Sequence, residues 1–146
     1  MSAEPGTGPQ GGEPGSIPHA LARCHCGGVE IEAAFPSRFC AHCYCRSCRT
    51  THAAGVVTWI GFKRAQVRFT RGEDLVRDYV SSQGTHRRFC GRCATRLTFE
   101  SEHGNWADEV HLPLALFVTP VDRVPDVIAF AEERPAWSPL AQVRHD

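Results

Sequence analysis

Eight cysteines fall within 146 residues, and they are grouped: Cys24-His25-Cys26, Cys43-Tyr44-Cys45-Arg46-Ser47-Cys48 and Cys90-Gly91-Arg92-Cys93, with Cys40 apart. Thiols crowded this closely point to shared metal ions. Thiolate is the soft ligand that selects zinc, and a short loop can aim two of them at one ion. A disulfide framework is the competing reading of an even count. It needs an oxidising compartment, and Met1-Ser2-Ala3-Glu4-Pro5-Gly6 has neither the basic start nor the apolar core of a secretory signal. The expected compartment is therefore the cytoplasm, with the thiols reduced.

The spacing divides the thiols into two sets. Cys24 and Cys26 form one pair and Cys90 and Cys93 another, with 63 residues between the pairs. Neither pair fills a tetrahedral shell, but together they supply the four thiolates of a closed structural zinc. The alternative is that one pair serves the other cluster. Gly27, Gly28 and Gly91 suit the tight loops that turn backbone N–H groups toward sulfur, and Arg23 and Arg92 stand beside them to offset charge. Cys43, Cys45 and Cys48 give three thiolates within six residues. Three protein ligands leave a position for water or a substrate thiol, as catalytic zinc requires.

Cys40 bears on that vacancy. A fourth thiolate would close the second site, but a strand over 38–42 points Cys40 away from the face carrying Cys43 and Cys45. Core packing as a small apolar side chain is the expectation. His42 and His52 are alternative fourth ligands or bases.

Formal net charge is zero at pH 7, so no global field draws the chain to nucleic acid or an anionic membrane. No stretch approaches the roughly 20 apolar residues needed to cross a bilayer. Residues 1–18, with five Gly and four Pro, read as a disordered tail. One domain is expected over 19–140, followed by a C-terminal tail over 141–146. Short strands are expected at 29–33 (pairing back across the 24–28 turn), 38–42, 56–62, 66–70, 75–80, 97–100 and 109–114. A helical turn is expected over 46–54, ended by Gly55, and one short helix near 126–133. Trp59, Trp106 and Trp137 read as core or pocket-wall residues, and Asp108-Glu109 as a solvated turn. The fold class is mostly β.

Three ordered motifs, Cys24-x-Cys26-Gly27-x-Val29, Cys43-x-Cys45-x-x-Cys48-Arg49 and Phe89-Cys90-x-x-Cys93-x-Thr95, resemble the glutathione-dependent formaldehyde-activating enzyme family, which includes centromere protein V. Trp59, Phe62, Tyr79-x-Ser81-Ser82 and Pro135-x-Trp137 extend the resemblance over about residues 20–138. It implies a β-tent of small antiparallel sheets stapled by zinc. It also implies a carbon–sulfur lyase that joins formaldehyde to glutathione as S-hydroxymethylglutathione. By position, Cys24, Cys26, Cys90 and Cys93 match the structural zinc ligands and Cys43, Cys45 and Cys48 the catalytic ones, two zinc ions per chain. The chain departs from the family at Tyr44, where histidine is common, at Ala94, where glycine is usual, and at Leu114-Ala115-Leu116-Phe117-Val118, which replaces a Gly-x-Leu-Asp segment.

The leading functional reading is a zinc-dependent lyase or synthase taking a glutathione-like thiol and an aldehyde, with Arg46, Arg49, Lys63 or Arg64 orienting the thiol's carboxylates. The alternative is a noncatalytic zinc-stapled scaffold, which a fourth ligand from Cys40 would favour. A methionine sulfoxide reductase-like mechanism needs a downstream nucleophilic cysteine, and residues 94–146 contain none. A nucleic-acid zinc ribbon lacks its basic-aromatic stripe.

Overall fold

Strand β4 (Val57–Lys63) sets the architecture, because its two faces enter different cores. Ile60 and Phe62 pack into one cluster, while Val57 and Trp59 pack into another. This is the period-2 alternation of a strand covered on both sides. The computed structural model of the protein describes residues 18–138, so all but Pro18 of the expected N-terminal tail and all of 141–146 lie outside the described residues.

β4 lies inside a seven-stranded sheet. Its neighbours are β3 (Phe39–Cys43) on one side and β9 (Glu109–Pro113) on the other. Beyond β9 come β8 (Arg96–Ser101), β7 (Thr85–Cys90) and β6 (Val76–Ser82), and beyond β3 lies β10 (Val127–Ala129). A smaller antiparallel sheet joins β1 (His19–Arg23), β2 (Glu30–Ala34) and β5 (Val67–Arg71). Ala22, Ile31 and Ala33 of the small sheet meet Cys40, Ile60, Phe62, Leu97, Val110 and Leu112 of the large one, and this is the main core. The second core lies on the outer face of the large sheet, against α1 (Arg46–His52).

The mostly-β expectation holds, with two sheets and, among the described residues, one α-helix. The larger sheet is not wholly antiparallel, since β10 runs parallel to β3. The short helix expected over 126–133 is instead this strand followed by a 3-10 turn at Ala131–Glu133. Val127 and Ile128 are β-branched and find a free strand edge at Ala41 and His42, which outweighs any helical tendency of so short a segment.

The α1 expectation needs one correction. The helix ends at Ala53 in the left-handed conformation (φ 51°), with its N–H bonded to Arg49 and Thr50 carbonyls, two residues before Gly55. Gly55 serves a different need: a Cβ there would lie 2.9 Å from the ring of Trp137.

One irregularity positions chemistry. In the β7–β8 pairing, Arg88 faces Thr98 but Phe89 faces Arg96, which leaves Leu97 as an extra residue. A bulge of this kind re-aims the side chains around it. Leu97 therefore joins the main core while Phe99, two residues on, joins the outer one.

Candidate metal centres

The first thiol set forms where two hairpin tips meet. Cys24 and Cys26 lie in the turn between β1 and β2, while Cys90 ends β7 and Cys93 lies in the turn that leads to β8. The four sulfurs lie within 4.8 Å of one another. Cys24 Sγ is 3.6 Å from Cys26 Sγ, which is 3.9 Å from Cys90 Sγ. Four sulfurs around one zinc at about 2.3 Å would stand about 3.8 Å apart. The donor set also fits a cation, since each sulfur has a hydrogen-bonding neighbour. The N–H groups of Val29, Gly28 and Arg92 donate to Cys24, Cys26 and Cys90 at 3.3, 3.4 and 3.4 Å. The Cys26 N–H donates to Cys93 at 3.5 Å, and Thr95 Oγ1 lies 3.2 Å from the same sulfur. The Thr95 hydroxyl and neighbouring N–H groups hold the Cys93 thiol down to about 5. A thiolate poised in this way is a ready metal ligand.

Local geometry follows from the glycines. Gly27 takes φ 77°, and a Cβ on Gly28 would meet Leu75 Cδ1 at 2.9 Å and Arg92 Nη1 at 3.0 Å. Ala94 adopts φ 68° without being glycine, so this turn is made at a cost in strain. Arg23 is engaged elsewhere, donating to Glu30 at 2.8 Å.

The second set is built from a strand end and a helix start. Cys43 closes β3, Cys45 is the N-cap residue of α1, and Cys48 is buried in its first turn. The Cys48 N–H donates to Cys45 Sγ at 3.3 Å, so the thiol caps the helix as a serine oxygen would. Arg49 Nε, donating to the Tyr44 carbonyl at 2.8 Å, and the Tyr44 N–H, donating to Ala129 at 3.0 Å, hold the loop against β10. The three sulfurs also lie within 4.8 Å of one another. Their mutual contacts, led by those to Cys45 and Cys48 and reinforced by burial, push the Cys43 thiol up. The contacts from Cys43 and Cys48 hold Cys45 down. Three thiolates this close repel one another, and a shared dication removes that conflict.

Cys43 and Cys48 form part of the wall of a cavity of about 120 Å³, whose other walls are Phe39, Trp59, Arg87, Phe99, Trp106, His111 and Phe130. Among these, His111 is buried, pairs with Glu109 through Nε2 at 2.9 Å, and stacks on Phe99 at 5.5 Å between centroids. Burial pulls its pKa below the ordinary histidine value. Arg87 is 6% exposed, and its two terminal nitrogens each lie 3.8 Å from Cys48 Sγ.

The other sequence candidates fall outside this cluster. Cys40 is fully buried in the main core, and burial pushes its thiol up. His42 pairs with Thr58 Oγ1 at 2.8 Å. His52 stands edge-on to Trp59, and burial, ahead of Arg87 and Arg96, depresses it to about 4. None of Arg46, Arg49, Lys63 and Arg64 lines the cavity. Arg64 instead pairs with Glu100, which Arg88 also contacts. Trp59 and Trp106 are pocket walls as expected, whereas Trp137 is 69% exposed. Glu109 does not sit in a solvated turn: it begins β9, facing His111 and Arg38.

Sequence reasoning missed Arg87 and His111. Arg87 sits in a run of polar residues that reads as solvated, and its one signal is a separation of three from Cys90, which places the two on opposite faces of β7. His111 offered a similar cue, alternating with Val110 and Leu112 of the main core.

The family model described as glutathione-dependent formaldehyde-activating enzyme matches residues 19–133. No curated protein sequence matches the chain. Among solved structures, the crystal structure of a Rhodobacter sphaeroides protein, a structural genomics target, is similar at a TM-score of 0.60 and 21% identity. The match covers 75% of this chain and 98% of that one, and it supports the fold.

Proposed function

Because the chain belongs to the glutathione-dependent formaldehyde-activating enzyme family, we propose that it joins a glutathione-like thiol to an aldehyde as a carbon–sulfur lyase, with zinc at both cysteine sets. The carrying observation is that Cys43 and Cys48, two of the three clustered thiols, open onto the aromatic cavity. Cys43, Cys45 and Cys48 are the proposed catalytic ligands, and Cys24, Cys26, Cys90 and Cys93 the structural ones. Zinc in the second set would supply Lewis acidity and favour the thiolate form of a bound thiol.

The chain's own residues do the rest. Phe39, Phe99 and Trp106 give the cavity an apolar wall, which strengthens charge interactions beside it. The cavity, about 120 Å³, has room for a cysteinyl arm and a one-carbon aldehyde, and we place the rest of the peptide at its mouth. In the addition, the substrate sulfur bonds to the aldehyde carbon, the carbonyl π bond breaks, and the thiol proton ends on the new hydroxyl oxygen. Buried His111, neutral near pH 7 and backed by Glu109, is placed to pass that proton.

The noncatalytic scaffold reading would be favoured by a fourth ligand from Cys40 at the second set, and Cys40 faces the other core. Among the described residues no helix is long and apolar enough to cross a membrane. Zinc-binding thiolates must stay reduced, which supports a cytoplasmic setting.

Metal analysis of the purified protein should give about two zinc ions per chain. Exchange NMR of glutathione with formaldehyde should show the adduct interconverting faster with enzyme than without. Wild-type protein that carries zinc but leaves the exchange rate unchanged would refute the enzyme reading.

A further inference from the structure

Arg87 is a buried cation whose hydrogen-bond partners are a thiol and a hydroxyl rather than a carboxylate. Its terminal nitrogens lie 3.8 Å from Cys48 Sγ, and NH1 also donates to Thr51 Oγ1 at 3.1 Å. The guanidinium covers Phe99 at 4.9 Å from the ring centroid. Its Nε is buried without any hydrogen-bond partner. Burying a charge on these terms is costly unless an opposite charge stands nearby. Among the described residues Arg87 has no carboxylate partner, and Glu100, beside Phe99 on the neighbouring strand, is taken by Arg64 and Arg88. What faces Arg87 is the sulfur of Cys48.

Three thiolates on one dication carry a net charge of minus one. An added thiolate would raise this to minus two in a half-dry pocket, whereas a neutral ligand would leave it unchanged. A fixed guanidinium against one of the ligand sulfurs cancels one charge in either case. It favours the charged newcomer selectively.

We propose that Arg87 is the counter-charge that makes the Cys43/Cys45/Cys48 site accept an anionic thiolate in preference to a neutral ligand. It is a positioning residue acting through Cys48, and the inference rests on the metal-bearing reading of that site. The fold is arranged for it: β7 sends Cys90 to the structural set from one face and Arg87 to the second set from the other.

The test uses cobalt(II)-loaded protein, whose visible spectrum reports the fourth ligand without any turnover. Wild type, Arg87→Met and Arg87→Lys are titrated separately with glutathione and with imidazole at one pH. In Arg87→Met, glutathione affinity should fall about ten- to a hundredfold, the range for one unit charge in a partly desolvated site, while imidazole affinity stays within about twofold. Arg87→Lys should recover most of the glutathione affinity. Equal losses for both ligands, or no loss for either, would overturn the proposal. Arg87→Gln replaces the methionine variant should that one not fold. If both neutral variants fail to load cobalt while the lysine variant loads it, the charge serves the metal itself and the proposal is likewise overturned. A wild-type spectrum that glutathione does not move would sink the reading of the site, which separates the two failures.

Discussion

Cys40 and Cys43 leave the same strand toward opposite cores: Cys40 packs with Ile60 and Phe62 between the sheets, and Cys43 packs with Trp59 and Cys48 on the outer face. Only two residues separate them, yet the sheet itself stands between their sulfurs. Cys40 therefore lies outside the second thiol set, which on the proposed reading keeps three protein ligands.

That separation has a direct test. Cys40→Ala should leave zinc content unchanged and cost about 1 kcal/mol from the small cavity it creates. Cys40→Ser should cost about 1–3 kcal/mol, because a hydroxyl there is buried without an assured partner. Denaturant unfolding with metal analysis of the same samples checks both. Loss of one zinc ion from either variant would show that Cys40 is a ligand after all.

The thiol groupings were legible in the sequence because each cysteine pair sits on one hairpin tip, and spacing alone pairs Cys24 with Cys26 and Cys90 with Cys93. Alternation likewise revealed β2, and short runs between turns revealed β3, β4 and β9. The surroundings of the second set were not legible. Arg87 and His111 reach the cavity from β7 and β9, and their placement depends on register, including the extra residue at Leu97. A single skipped residue reverses which face a side chain occupies, and no local pattern announces it. The parallel β10 was hidden for a related reason, since its edge exists only once β3 is in place.

Ala94 offers a gain in stability. Its left-handed backbone at φ 68° closes the turn through its N–H to the Cys90 carbonyl at 2.8 Å. The strain for a residue with a Cβ is about 1–2 kcal/mol, against about 0.5–1 kcal/mol of extra chain entropy for glycine when unfolded. Ala94→Gly should therefore stabilise the protein by up to about 1 kcal/mol. A lower melting temperature at equal zinc content would contradict this.

His86 gives the hairpin of β6 and β7 a pH dependence. Its Nδ1 lies 2.7 Å from Asp78 Oδ2, and that hydrogen bond raises its pKa above the ordinary value. A raised pKa in the folded state means that the unfolded chain releases the proton first. The stabilisation is therefore complete below about 6.5 and is lost as pH rises through the folded value. In Asp78→Asn the His86 resonances should titrate at lower pH, and the fall in unfolding midpoint above neutrality should flatten. Identical His86 titration curves for the two proteins would reject the linkage.

The two thiol sets should differ in what their loss costs. Cys24, Cys26, Cys90 and Cys93 join hairpin tips with 63 residues between the pairs. The chain-entropy cost of closing a loop of that size is about 4 kcal/mol, against about 2 kcal/mol for one of about six residues, the span of Cys43 to Cys48. Cys90→Ala should accordingly remove one zinc ion and lower stability by the larger amount, with activity falling only as the folded fraction falls. Cys48→Ser should cost roughly half as much stability while abolishing thiol-dependent exchange in protein that remains folded. Unfolding midpoints, zinc content and exchange rates measured together on both variants decide the matter. If Cys90→Ala kept its fold and lost catalysis while Cys48→Ser did the reverse, the structural and catalytic assignments would have to be exchanged.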